Sequence, residues 1–323
     1  MDKIAVLIPC YNESKTVEKV INDFKRELPE ATIYVYDNNS SDGTDEIARK
    51  AGAIVRYERK QGKGNVIRTM FREVDAECYI MTDGDDTYPA EEARKLCDCV
   101  LKKNADMVIG DRLSSTYFNE NKRPFHNFGN VIVRLLINMI YRSNIRDVMT
   151  GYRAFSYRFV KTFPVLSKGF EIETEMTIHT LDKNMNIENE IIEYRDRPEG
   201  SDSKLNTYVD GARVIKTILT LYKHYKPFSF FLWVSIICLI IGSAFLIPVI
   251  VEYAHTGLVP KMPSFMASIF FYLCTLQAFF GGLILQTIVE KEKQKFEIKL
   301  NEYEDKFKEK QKENIRLNNK KSK

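Results

Sequence analysis

The sequence predicts an α/β domain with a mainly parallel sheet covered by helices on both faces, followed by a hairpin of two transmembrane helices. Two observations lead to this prediction. Residues 1 to about 226 alternate short apolar runs with amphipathic stretches, which is typical of strands separated by helices. Residues from about 228 to 289 form an apolar block, although the mean hydropathy of the whole chain is only -0.29.

The first region contains five apolar runs that predict strands. They are IAVLIP (4–9), TIYVYD (32–37), AIVRYE (53–58), CYIMTD (78–83) and MVIGDR (107–112). Helices are predicted between or after them over residues 15–28, 44–51, 65–74 and 127–141. Ligands of such sheets gather at the carboxyl ends of the strands, so the loops that follow the strands are where a site is expected.

The apolar block contains two runs without any charged residue, 228–251 and 264–289. Each is long enough to cross a hydrocarbon core of about 30 Å as a helix of about 20 residues. The alternative is a pair of buried core helices, but charge-free runs of this length are rare in soluble proteins. Lysines precede the first run and follow the second, whereas the linker carries one lysine, Lys261. The positive-inside rule therefore predicts that the domain and both termini are cytoplasmic.

The predicted domain organisation has four parts. A catalytic domain covers 1–204, an amphipathic helix at the membrane interface covers 205–226, the two spans lie within 227–289, and a charged tail covers 290–323. The helix at 205–226 could instead be an ordinary amphipathic helix packed on the domain. The tail is rich in Lys and Glu with aromatic residues at helical spacing, which predicts a solvated or surface-lying helix or a short coiled coil.

The strand CYIM runs directly into an acidic turn that contains Asp83 and Asp85. Carboxylates at the carboxyl end of a buried strand can bind a hard cation, and that cation can neutralise a departing diphosphate. An acidic turn after a strand can equally be a helix cap. Elsewhere, Asp37 ends the second strand, where its carboxylate could accept hydrogen bonds from a nucleobase. Lys63 stands between two glycines and could approach a phosphate, or be a solvated loop charge.

Four ordered motifs, IAVLIPCYNE, VYDNNSSDGT, QGKGNVIR and MTDGDD, resemble the family-2 glycosyltransferases with a GT-A fold, the Rossmann-like fold of nucleotide-diphospho-sugar transferases. The resemblance covers roughly residues 1–226. It implies a divalent ion, Mg²⁺ or Mn²⁺, at Asp83 and Asp85. It also implies that the nucleotide-sugar donor is bound by Pro9, Tyr11, Glu13, Asp37, Lys63 and Asp83.

The segment DVMTGYR (147–153) resembles a D-x-x-T/S-G-F/Y-R motif of the polyprenyl-phosphate branch of this family, which includes dolichyl-phosphate mannose synthases and undecaprenyl-phosphate glucosyltransferases. Asp147 matches the family's proposed catalytic acid and would act with Asp85, although an Asp paired with an Arg is the alternative. The segment GFEIE (169–173) puts Glu171 or Glu173 near the donor sugar or the acceptor. The resemblance also implies that the acceptor phosphate is bound by Arg112, Arg123, Arg197 and Ser203.

The predicted function is the transfer of one hexose from a nucleotide-sugar, with UDP-glucose favoured over GDP-mannose, to a polyprenyl phosphate at the cytoplasmic membrane face. The reaction is expected to be metal-dependent and inverting, because an ionised phosphate can attack the anomeric carbon in one step. No nucleic-acid partner is predicted, and Gly281 and Gly282 are compatible with a homo-oligomer. Two alternatives are a processive polysaccharide synthase, whose Q-x-x-R-W motif is absent, and a non-catalytic membrane scaffold, which the intact acids disfavour.

Overall fold

A computed structural model describes residues 1–114, 124–169, 171–195, 220, 222–223 and 225–321 of the chain, with the side chains of 124–129 and 314–321 left out. Three of the residues predicted to bind the acceptor phosphate, Arg123, Arg197 and Ser203, lie outside the described residues. Most of the predicted interface helix at 205–226 does as well.

The domain is built on a seven-stranded sheet with the order β3-β2-β1-β4-β6-β5-β7. β1 pairs in parallel with β2 and β4, and β6 runs antiparallel to β4 and β5. The prediction of a mainly parallel α/β sheet is confirmed, but β6 and β7 were not predicted. The strands are β1 (Asp2–Cys10), β2 (Ala31–Asp37), β3 (Ile54–Tyr57), β4 (Ala76–Met81), β5 (Met107–Asp111), β6 (Arg153–Ser156) and β7 (Ile187–Ile191).

Helices cover both faces of this sheet, as the apolar character of its central strands requires. Residues 4 to 8 of β1 are all fully buried, so both faces of that strand are covered. Phe24 and its neighbours pack on one face, and Phe71 and Phe159 form an aromatic cluster on the other. The helices of the domain are α1 (Val17–Glu27), α2 (Thr44–Lys50), α3 (Lys63–Glu73), α4 (Ala93–Lys103), α5 (Pro124–Tyr141), α6 (Tyr157–Thr162) and α7 (Ile172–Asp182).

Two further helices, α8 (Pro227–Thr256) and α9 (Met262–Lys321), are long and apolar enough to cross a membrane. α8 begins with a proline and ends before Gly257 at φ 67°, both common at helix ends. Gly282 of α9 lies against Phe228 and Phe231 of α8, where a Cβ would come within 2.8 Å of the Phe231 Cβ. Gly282 therefore serves the packing of the hairpin itself, and self-association through this stretch stays a prediction.

The charged tail continues α9, and its residues after 295 pack on the surface of the α/β domain. The ring of Phe307 stacks on Tyr157 with centroids 5.0 Å apart. Glu304 pairs with Arg158 at 2.9 Å. Tyr157 and Arg158 directly follow β6, at the sheet edge where β4 begins, so the tail contacts the edge opposite the carboxyl ends of the parallel strands.

Candidate active site

The loops that follow β1 and β2 hold each other in place at the carboxyl edge of the sheet. The Asn12 amide N–H donates to the Ser40 hydroxyl at 2.9 Å, and the Ser41 N–H donates to the Asn12 side-chain oxygen at 2.8 Å. The Glu13 N–H donates to the Thr44 hydroxyl at 2.9 Å. Asn12 adopts a left-handed φ of 55°, which Asn tolerates better than most residues. These hydrogen bonds join the two polar loops into one surface.

Asp37 ends β2 within this surface, and only one of its two carboxylate oxygens is hydrogen-bonded to a described residue. It is only 4% exposed, and its Oδ2 accepts a hydrogen bond from the Ser40 N–H at 3.0 Å. Its Oδ1 is buried and has no hydrogen-bond partner among the described residues. A buried acceptor without a donor is unfavourable, so this oxygen is able to accept a hydrogen bond from a ligand. Pro9 is half-buried and Tyr11 is 39% exposed beside the same loops.

The glycines on either side of Lys63 are required by a close approach of another loop. A Cβ at Gly62 would collide with the backbone oxygen of Lys168, and a Cβ at Gly64 with that of Ser167. Gly62 also has a φ of 126°, which residues with a side chain rarely adopt. Its N–H donates to the Asn38 side-chain oxygen at 2.8 Å, which ties this loop to the end of β2.

Lys63 begins α3 and points between two carboxylates. Its Nζ lies 2.6 Å from Asp83 Oδ1 and 2.7 Å from Glu173 Oε1. Burial lowers the pKa of Lys63, but the two carboxylates outweigh burial, so its pKa is raised and it stays charged. Burial raises the pKa of Glu173, and Lys63 opposes that shift. Of the two alternatives that the sequence offered, Glu171 and Glu173, Glu173 is the one that contacts Lys63.

The three acids of the turn after β4 differ in burial: Asp85 is buried, and Asp83 and Asp86 are partly buried. Asp85 is 3% exposed, and its Oδ1 accepts hydrogen bonds from the N–H and the hydroxyl of Thr87, at 3.2 and 2.6 Å. Asp83 lies against Gly151, where a Cβ would be 2.5 Å from its Oδ2. Asp86, the third acid of the run, has a φ of 61° and pairs with Lys19 at 2.6 Å instead.

Asp83 and Asp85 fit a divalent cation as an incomplete set of ligands. They supply the carboxylate oxygens that Mg²⁺ prefers and stand at the carboxyl edge of the sheet. Among the described residues, no group of three or more His, Cys, Asp or Glu side chains is arranged for a metal. A bound ion would therefore take its other ligands from water and from the phosphates of a substrate.

Asp147 and Arg112, predicted to serve catalysis and the acceptor phosphate, contact each other. Asp147 is fully buried, and its carboxylate accepts hydrogen bonds from the Arg112 guanidinium at 2.7 and 3.4 Å. It also accepts from the Asn130 amide at 3.2 Å and from the Met149 N–H at 3.1 Å. The structure therefore has the Arg-paired arrangement that the sequence left open for Asp147.

The Arg that closes the DVMTGYR motif has a role that sequence reasoning missed. Arg153 is fully buried and donates to the carbonyl oxygens of Val148 at 2.6 Å and Thr150 at 3.1 Å. Burial lowers the pKa of Arg153 to about 10. Tyr88, also missed, accepts a hydrogen bond from the Gly151 N–H at 3.0 Å. A charged residue at the head of the apolar run RAF was the available signal, because a buried guanidinium must find acceptors nearby.

Comparisons with known proteins agree with this geometry. The model of Glycosyl transferase family 2 matches residues 5–163. Glycosyltransferase AglJ of Haloferax volcanii is 34% identical over 231 residues, which are 71% of this chain and 75% of AglJ. The dolichyl-phosphate hexose transferase of the same organism is 29% identical over 218 residues, covering 68% of this chain and 93% of that protein.

A solved structure shares the fold. It is the glucosyl-3-phosphoglycerate synthase of Mycobacterium tuberculosis in complex with Mn²⁺, UDP and glucosyl-3-phosphoglycerate. The match has a TM-score of 0.55 at 19% identity and covers 68% of this chain and 80% of that chain. The sheet, the ordered motifs and these relatives lead to one conclusion: the chain belongs to glycosyltransferase family 2, and its domain has the GT-A fold.

Proposed function

We propose that this glycosyltransferase moves one hexose from a nucleotide-sugar onto a polyprenyl phosphate, with a divalent metal ion and with inversion at the anomeric carbon. One observation carries the proposal. The polar groups at the carboxyl edge of β2 and β4 combine a buried acceptor oxygen on Asp37 with a buried ammonium on Lys63 and the carboxylates of Asp83 and Asp85. A nucleoside diphosphate needs this combination of a base acceptor, a phosphate partner and cation ligands.

The donor half of the reaction follows from these groups. Asp37 Oδ1 accepts a hydrogen bond from the base edge, and Tyr11 and Pro9 offer apolar surface beside the base. Lys63 balances charge on the diphosphate. A cation held by Asp83 and Asp85 would supply further charge neutralisation as the diphosphate departs.

The acceptor half requires positioning more than proton transfer. A phosphate monoester is largely ionised at neutral pH, so its oxygen can attack the anomeric carbon without a strong general base. Asp147 is held by Arg112 and Asn130, and it would act by fixing the wall of the acceptor cleft. Binding of the acceptor phosphate by Arg123, Arg197 and Ser203 is part of the proposal and rests on the resemblance.

The lipid acceptor also explains the organisation of the chain. A polyprenyl chain cannot leave the bilayer, so the enzyme must meet its phosphate at the headgroup plane. Helices α8 and α9 suit this purpose because both are long and apolar enough to span the membrane. We propose a catalytic domain over 1–204, an interface helix over 205–226, two spans within 227–289 and a tail over 290–323, with the domain and both termini in the cytoplasm.

The sugar and base are proposed from the relatives. The dolichyl-phosphate hexose transferase is named for a hexose and a polyprenyl phosphate, and the mycobacterial synthase was crystallised with UDP. A UDP-hexose such as UDP-glucose is therefore the favoured donor, and GDP-mannose is the second candidate.

The test is a transfer assay with the purified full chain in detergent. Radiolabelled UDP-glucose or GDP-mannose is supplied with undecaprenyl phosphate and Mg²⁺, and the lipid product is analysed for the number of sugars added. We expect one hexose per lipid, loss of transfer on chelation, and a fall of at least about a hundredfold in Asp85→Asn. Several hexoses per lipid would support a processive synthase, and no transfer from any nucleotide-sugar would support a scaffold.

A further inference from the structure

The buried ion pairs of Lys63 bring together residues from three separate elements. Lys63 begins α3, Asp83 follows β4, and Glu173 lies in the first turn of α7. The Lys63 and Glu173 side chains are 9% and 6% exposed, whereas that of Asp83 is 27% exposed. Asp83 is thus the carboxylate of this trio that a ligand entering from solvent can reach.

The charges of this trio are unbalanced in a way that suits a cation. Burial of an ammonium is unfavourable unless nearby acids compensate for its lost hydration, and Lys63 has two acids within 2.7 Å. With Asp85 included, three carboxylates stand against one ammonium, which leaves a net charge of −2. A divalent cation would cancel that charge.

We propose that Glu173 is a positioning residue for Lys63. It holds the Lys63 ammonium beside Asp83, where the ammonium takes the place of the divalent ion until the nucleotide-sugar and its metal ion bind. When the divalent ion binds, the ion pair between Lys63 and Asp83 breaks, and the Lys63 ammonium turns toward the diphosphate. The ion pair with Glu173 keeps the ammonium in the site. This inference rests on the proposed function, because it assumes a diphosphate donor with a metal ion.

The burial of the two acids supports this order of exchange. Glu173 is 4% exposed, so its contact with Lys63 persists when a ligand enters. The other contact joins Lys63 to Asp83, which at 27% side-chain exposure is the more accessible of the two acids. Without Glu173, Lys63 would have Asp83 as its remaining acid of the pair and would compete more strongly with the metal for it.

The experiment measures binding of Mn²⁺ alone to the full chain in detergent. The electron paramagnetic resonance signal of free Mn²⁺ reports how much of the ion is bound. Lys63→Met removes the competing ammonium, so Mn²⁺ should bind about tenfold more tightly than to the unmodified chain. Glu173→Gln removes a negative charge and leaves Lys63 on Asp83, so Mn²⁺ should bind about tenfold more weakly. As a matched control, Asp98→Asn breaks the exposed Asp98–Lys102 pair on α4 and should leave Mn²⁺ affinity unchanged.

A second measurement adds UDP at saturating Mn²⁺ and follows its binding by calorimetry. Both variants should bind UDP more weakly, since one lacks the ammonium and the other holds it on Asp83. If Lys63 exchanges partners, Lys63→Met and Glu173→Gln change Mn²⁺ affinity in opposite directions, and both lower UDP affinity. A lysine with a purely structural role would not give this pattern. Unchanged or weaker Mn²⁺ binding in folded Lys63→Met would overturn the proposal.

Two further arms keep the outcome decisive. If Lys63→Met does not fold, Glu173→Gln is compared with Glu173→Asp, which keeps the charge. The proposal requires the amide to weaken Mn²⁺ binding and the shorter acid to restore it, and equal affinities would overturn it. If the unmodified chain binds Mn²⁺ but neither UDP nor GDP, the proposed donor class fails, and the Mn²⁺ arm still reports on Lys63.

Discussion

The half of the domain around β1, β2 and β4, to which we assign donor binding, differs from the half around β5 and β6, to which we assign acceptor binding, in how its charged side chains are paired. We call them the donor half and the acceptor half. In the donor half, Asp37 keeps a buried oxygen without a partner among the described residues, and Asp83 stays partly exposed. In the acceptor half, Arg112 and Asp147 neutralise each other, and Arg153 binds backbone carbonyl oxygens. The donor half thus retains polar atoms that a ligand can contact, whereas in the described part of the acceptor half the charged groups bind one another and the backbone.

This contrast predicts different responses to substitution. Removing the open oxygen of Asp37 in the donor half should weaken ligand binding with little effect on stability, because that atom has no hydrogen-bond partner among the described residues. Changes in the acceptor half should lower stability, because each removed charge leaves a buried partner behind. Four substitutions test that division. In order of decreasing expected effect they are Asp147→Ala, Asp37→Asn, Gly151→Ala and Phe307→Ala.

The largest effect is expected for Asp147→Ala. The Arg112 guanidinium would be left buried without its carboxylate, which costs about 3–5 kcal/mol. Thermal unfolding of the full chain in detergent should show a Tm lower by about ten degrees. The double variant Arg112→Met with Asp147→Ala should recover part of this loss, because no buried charge remains unpaired. Additive losses in the double variant would show that the pair is not the stabilising unit.

Asp37→Asn is expected to act on binding instead. Asn can keep its oxygen on the Ser40 N–H, and its NH₂ group then replaces the open Oδ1. The acceptor for the base is lost, which should weaken nucleotide binding by about 1.5–3 kcal/mol, on the order of tenfold to a hundredfold. Calorimetry with UDP and Mn²⁺ measures this, and the Tm should change little. A large fall in Tm with unchanged UDP affinity would reverse the assignment of Asp37 to the donor-binding surface.

The sequence predicted the strands β1, β2 and β4 well because their signals are local. β1, β2 and β4 are buried runs, and the carboxyl ends of parallel strands meet at one edge, so the clustering of Asp37, Asp83 and Asp85 follows from chain order. β6 is four residues long and antiparallel, and β7 (IENEI) is largely half-buried and carries two acids, so neither has a clear pattern. Such strands are fixed by pairing with distant segments, which local periodicity does not report.

Contacts between distant residues were missed for the same reason. The motifs contained Lys63 and Arg112, and nothing in their spacing states that one pairs with Glu173 and the other with Asp147. Lys63 was predicted to approach a phosphate because it stands between two glycines, and Arg112 because the resemblance implies that it binds the acceptor phosphate. A buried cation also attracts the acids of its own chain, and only the fold decides which acid is near.

Gly151→Ala tests the border between the two halves. Its Cβ would lie 2.5 Å from Asp83 Oδ2, so Asp83 must move, at a cost of about 1–3 kcal/mol. We expect a moderate fall in Tm together with weaker Mn²⁺ binding, since Asp83 belongs to the proposed ion site. Gly281→Ala is the control, because a Cβ there has no atom within 4 Å. Unchanged Mn²⁺ binding in Gly151→Ala would separate Asp83 from the ion.

The smallest effect is expected at the edge opposite the site, where the tail docks. Phe307→Ala removes the stacked ring on Tyr157, which contributes about 0.5–1.5 kcal/mol beyond the area it buries. We expect the tail after residue 295 to be cut faster by a protease, because local opening of this segment becomes easier. UDP binding should not change, since Asp37 and Asp83 stand at the other ends of their strands.

The matched control for this prediction is Ile298→Ala, because Ile298 lies in the same part of α9 and is 62% exposed. It should leave the rate of tail cleavage unaltered, since an exposed side chain contributes little to docking. If Phe307→Ala instead weakens UDP binding while Ile298→Ala does not, the tail communicates with the donor cleft through the sheet. The division of the domain into a ligand-facing edge and a purely structural edge would then have to be abandoned.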